Sequence, residues 1–141
     1  MVAAICGWHE QHAAAATEIE RRLEDGERMA IPAPALIEAY AVLTRLPAPH
    51  RLSPADAWAL VQANFIRSAT IVALTAPAYK KLLGRVVKHT IAGGRTYDAV
   101  IAECARQAKA DTLLTLNRRH FEPPPAGVSV IDPSAGHGSS L

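Results

Sequence analysis

The sequence has few cysteines, few aromatic residues and no long apolar run, and neither sign of charge dominates it. Cys6 and Cys104 are its only cysteines, and neither belongs to a CxxC pair. A disulfide framework and a thiolate zinc site are thereby excluded, and the chain reads as reduced and cytoplasmic. Aromatic residues make up 5% of the chain, so the core is expected to be aliphatic. No apolar stretch approaches the ~20 residues that cross a bilayer, so no membrane partner is expected. The opening MVAAICGWHEQH lacks a basic leader and soon turns polar, which makes it a poor secretory signal. Fifteen Lys plus Arg against 13 Asp plus Glu leave a formal charge of +2. That balance neither demands nucleic acid nor excludes it, and clustering of the charge matters more. Glycine-rich phosphate loops, GxSxG and Ser-His-Asp signals are all lacking.

What is present is a rhythm. His12 to Asp25 is helix-forming, with Ala15, Ile19 and Leu23 on one face and Gly26 as a stop. Met29 to Ala33 reads as a short buried strand, followed by a helix from Ala35 to about Arg45 with Pro34 in its first turn. Ser53-Pro54-Ala55-Asp56 opens a helix reaching about Arg67. Thr70 to Leu74 is a second strand, and Thr75 caps the next helix, which ends before Gly93-Gly94. Thr96 is expected to cap a helix running to about Lys109. Thr112 to Leu116 and Val128 to Ile131 supply two more strands. Residues 133–141 read as a flexible tail behind a single domain over 1–132. Strands alternating with helices give a parallel sheet covered on both faces, with ligands at the carboxyl ends of the strands.

Several polar residues fall on that edge. Glu38 is the only charged residue in MAIPAPALIEAYAVLT, where it is costly if buried without a partner. An acid serving the helix dipole is the ordinary alternative. Asp98 lies in the first turn of the helix after Gly93-Gly94, glycines that would permit a close backbone approach. Asn117 directly follows TLLTL, with Thr115 two residues earlier on the same side. Arg118, Arg119 and His120 form the tightest cationic cluster, beside the same edge. Two carboxylates, an amide and a hydroxyl make an oxygen-rich set that suits Mg²⁺ or Mn²⁺. His9 and His12 share helical spacing but have no third ligand to complete a zinc pattern. His50, His89 and His137 carry no function in this reading, and Lys80 to His89 reads as a basic surface helix.

The order PAPALIEAYAVLTRLP, GGRTYDAVIAECARQAKADTLLTLNRRHF and VSVIDP, with VAAICGWHEQHAAAATEIE ahead of it, resembles a known family over about residues 1–132. It is similar to the PIN-domain ribonucleases, especially the VapC-type toxins of toxin–antitoxin pairs. The resemblance implies a three-layer α/β/α fold with a mainly parallel sheet. It also implies a metal-dependent endoribonuclease, the toxin of a type II pair, that hydrolyses RNA phosphodiesters with Mg²⁺ or Mn²⁺. It assigns Glu38, Asp98 and Asn117 to the catalytic metal site, Thr115 to supporting it and Arg118 and Arg119 to RNA. A cognate antitoxin, a homodimer and a cytoplasmic location follow from the same likeness. The family's opening strand and its Asp would precede Met1. A further N-terminal segment in the natural product is therefore expected, and weak metal affinity in the 141-residue chain itself. The alternative is a truncated or degenerate, non-catalytic PIN module that binds a partner protein or RNA. A small-molecule enzyme is a weaker reading, because no cofactor fingerprint is present.

Overall fold

Proline stands in the first turn of three of the helices. The computed structural model describes residues 1–135; the expected tail lies outside the described residues from position 136 onward. Two units are distinguished among the described residues, Met1–Ile71 with residues 133–135, and Val72–Asp132.

In the first unit, α1 (Val2–Ile5) and α2 (His12–Glu24) precede β1 (Ala30–Pro32). The His12 Nδ1 donates to the Ala3 carbonyl at 2.8 Å and ties α2 to α1, a structural task that uses one ring nitrogen. After α2 the chain reverses at Gly26, whose φ of +84° suits glycine. Helix α3 (Ala33–Arg45) follows, with proline in its first turn. Ser53 caps α4 (Pro54–Val61), its hydroxyl accepting from the Asp56 N–H at 3.1 Å. The helix expected to continue to Arg67 instead widens into a π turn over Gln62–Ile66. The wider turn seats Phe65 in the core beside Cys6, Ile31, Leu43, Ala57 and Val61. β2 (Thr70–Val72) pairs with β1.

In the second unit, Thr75 caps α5 (Ala76–Lys88), accepting from the Ala78 N–H at 3.3 Å. Leu82 and Val86 of α5 pack with Leu74 and with Cys104 of α6 (Arg95–Gln107). The expected cap at Thr96 is corrected. Gly94 holds the cap position without a side-chain bond, and Thr96 lies inside the helix, its N–H donating to the Gly93 carbonyl. β3 (Thr112–Leu114) pairs in parallel with β4 (Ser129–Ile131), Leu113 opposite Val130. The class is α/β, and among the described residues the strands pair as β1–β2 and β3–β4. The strands predicted at 70–74 and 112–116 are each two residues shorter, although the Thr115 N–H still donates to the Ile131 carbonyl at 3.0 Å. Leu74 leaves its strand to join the core of the second unit.

Candidate active site

The second unit gathers most of the polar residues singled out by the sequence. The first turn of α6 presents Asp98, whose side chain is 24% exposed. Its Oδ2 lies 3.3 Å from Nδ1 of His120. His120 belongs to a short 3₁₀ turn, Arg118–Phe121, anchored by the buried ring of Phe121. The turn is set by the end of β3: the Thr115 hydroxyl accepts from the Asn117 N–H at 3.1 Å, and the Asn117 carbonyl accepts from the His120 N–H at 2.9 Å. Thr115 thus fixes the backbone from which Asn117 projects. Asn117, Arg118, Arg119, His120, Glu122 and Asp132 line a cleft of about 500 Å³. The Arg95 guanidinium donates to the Glu122 carbonyl at 3.5 Å, a second link from α6 to the same segment.

Sequence reasoning named Asp98, Asn117, Thr115, Arg118 and Arg119, and the second unit carries all five around this turn and cleft. It missed two members. His120 was seen only as part of a cationic run, whereas it contacts Asp98. Asp132 directly follows β4 and lines the cleft; an acid directly after a short apolar strand is the available signal. The close approach expected at Gly93-Gly94 is corrected. A Cβ at either position would meet nothing within 4 Å, and Gly93 is required by its φ of +61°.

Glu38 stands in the first unit and is exposed on α3, whose buried face is Ala39 and Leu43. The cost of burying it unpaired therefore does not arise. Its charge acts on the Met1 amino group, whose pKa burial lowers and Glu38 partly restores.

A contrasting carboxylate lies further along α6. Glu103 is 7% exposed and is held by Arg85 of α5 at 2.6 Å and by Arg106, which reaches both of its oxygens. The Arg106 hydrogen bonds, then that of Arg85, hold its carboxyl below the usual range against the opposing effect of burial. With guanidinium groups on both oxygens, it has no place for a cation.

Mg²⁺ keeps several waters and takes one or two carboxylates, so the chemistry of Asp98 and the Asn117 amide oxygen fits it. Among the described residues, no three His, Cys, Asp or Glu side chains form a ready-made metal cluster.

Residues 1–124 match the PIN domain family, and the chain belongs to that family. Ribonuclease VapC40 of Mycobacterium tuberculosis is 38% identical over 122 residues, which span 86% of this chain and 84% of that protein. Ribonuclease VapC27 of the same organism is 36% identical over 77 residues, 55% of this chain and 54% of that protein. Among PIN domains, then, this one is of the VapC type.

Proposed function

We propose that the chain is an endoribonuclease of the toxin type that hydrolyses RNA phosphodiesters with Mg²⁺ or Mn²⁺. One observation carries the reading: a partly exposed carboxylate, Asp98, touches the basic turn that lines the cleft. The names of the VapC relatives support the same activity. Asp98 and Asn117 would hold the ion, and Glu38 of the first unit is the further acidic residue proposed for catalysis. When bound, a divalent cation lowers the pKa of water and neutralises charge on phosphate oxygens. The chain's own residues do the rest. Thr115 holds the Asn117 backbone, and His120 orients the Asp98 carboxylate. Arg118 and Arg119 draw the phosphate backbone to the cleft with charge-assisted hydrogen bonds.

Cleavage of a mixed RNA pool in Mg²⁺ or Mn²⁺ is the test. Loss of cleavage in Asp98→Asn and in Glu38→Gln, with folding retained, is expected; full activity in both variants removes the site. A cognate antitoxin, a homodimer and a cytoplasmic location belong to the same proposal. Ile37 and Tyr40 on α3 and Trp58 on α4 offer exposed apolar side chains for such contacts. Among the described residues no helix is long and apolar enough to cross a membrane. The second reading, a non-catalytic PIN module, is favoured by the lack of a three-member acidic cluster among the described residues. Binding of RNA or a partner protein without cleavage would select it.

A further inference from the structure

The carboxyl ends of β3 and β4 lie side by side, and the acid at the end of β4 has no task in the proposed chemistry. Leu114 of β3 pairs with Ile131 of β4. The Thr115 N–H donates to the Ile131 carbonyl at 3.0 Å, so the pairing runs one step beyond β3. That step sets Asp132 beside Thr115, one strand spacing of about 4.8 Å away. The Thr115 hydroxyl fixes the Asn117 backbone, and Asn117 and Asp132 line the same cleft. His120 lines it too and touches Asp98.

Charge gives that place a meaning. Asn117 is neutral, which leaves Asp98 as the one carboxylate assigned to the ion in this unit. The cleft wall carries Arg118, Arg119 and His120. A divalent cation beside that positive charge is held better by two carboxylates than by one. The cleft offers two further acids, Glu122 and Asp132. Glu122 is exposed and follows the 3₁₀ turn, away from the strands, whereas Asp132 is half-buried and set by strand pairing. The shorter, better fixed side chain loses less freedom on binding. We propose that Asp132 supplies the second carboxylate for the divalent cation, providing the charge that Asn117 lacks. Mg²⁺ and Mn²⁺ hold waters that bridge to a carboxylate beyond direct reach, so a tight cluster of three acids is not required. The proposal rests on the metal-dependent reading and deepens it by adding a residue to the ion's surroundings.

Binding of Mn²⁺ to the full chain without RNA is the test, read from the free-ion EPR signal during titration. Asp132→Asn should bind Mn²⁺ at least about tenfold more weakly than the wild type, the scale on which even an outer partner of a metal ligand is felt. Glu122→Gln should bind as the wild type does, its exposed charge being screened. Adding Asn117→Asp to Asp132→Asn should recover most of the loss, because the carboxylate count returns. A measurement on the wild type needs no variant to fold: substoichiometric Mn²⁺ should broaden the amide NMR signals of Asn117 and Asp132 before that of Glu103. Wild-type affinity in Asp132→Asn, an equal loss in Asp132→Asn and Glu122→Gln, or no recovery in the double variant overturns the role of Asp132 alone. So does an Asp132 amide signal that stays sharp while that of Asn117 broadens. Absence of Mn²⁺ binding by the wild type overturns this inference and the metal-dependent reading together. Mn²⁺ binding that depends on Asp132, without RNA cleavage, removes only the catalytic reading.

Discussion

The two ends of α6 each hold a carboxylate, and the two are used in opposite ways. Glu103 near the carboxyl end is buried and saturated by Arg85 and Arg106. Asp98 in the first turn is partly open and meets a half-exposed histidine, His120, at 3.3 Å. A buried acid fully engaged by guanidinium groups is structural, because removing it leaves a packed network incomplete. An acid at a cleft edge with a single weak partner remains available to a ligand. Burial and the number of partners, more than residue type, separate the roles.

Exchanging the two acids for neutral residues should break the comparison cleanly. Asp98→Asn is expected to lower RNA cleavage by about 100-fold or more, the scale on which loss of one catalytic donor is felt. Its stability should change by less than about 0.5 kcal/mol, measured by urea unfolding. Glu103→Ala should do the reverse. It should cost about 2 kcal/mol of stability while cleavage, assayed well below the unfolding range, persists. A Glu103 variant that loses cleavage but no stability would invert the assignment.

Acid sharpens the contrast further. The carboxyl of Glu103 is held below its ordinary value in the folded chain, chiefly by Arg106 and then Arg85. Its stabilising contribution is therefore complete above the unfolded-state pKa of about 4.3 and is lost as pH falls through the lower folded value. The stability gap between the wild type and Glu103→Gln should be full at neutral pH and close below about pH 4. A gap that stays constant down the acid limb would mean that Glu103 is not the linked group.

On the rim, Arg118→Ala with Arg119→Ala should reduce the slope of log affinity against log salt for single-stranded RNA by roughly 1.4, from two lost phosphate contacts. An unchanged slope would place the phosphate path elsewhere. The smallest effect is expected at the Asp98 partner. His120→Gln removes a pair half open to water and should shift stability by no more than about 0.5 kcal/mol in urea.

Much of the local structure was legible in the residues. Ser53 and Thr75 cap the helices they were expected to cap, because a side-chain oxygen three residues from an orphan N–H needs nothing from the rest of the chain. Gly26 ends α2 for the same kind of local reason. Asp98 and Asn117 could be placed because strand and helix ends fix which edge a residue occupies. Thr96 misled, since a threonine at a helix start is as compatible with the second helical position as with the cap. The π turn at Gln62–Ile66 left no trace in the apolar pattern, because it answers the seating of Phe65 in the core. Glu38 was argued from a burial cost that its exposed place on α3 removes.

The residues alone thus determined the order of the strands and longer helices, the caps at Ser53 and Thr75 and the α/β class, all of which depend on neighbours a few positions away. Tertiary structure alone decided which acid of α6 is buried and which stays open, and that His120 meets Asp98 while Arg85 meets Glu103. Those pairs join segments 22 and 18 residues apart, and a periodic pattern carries no information on which side chains meet across such a span.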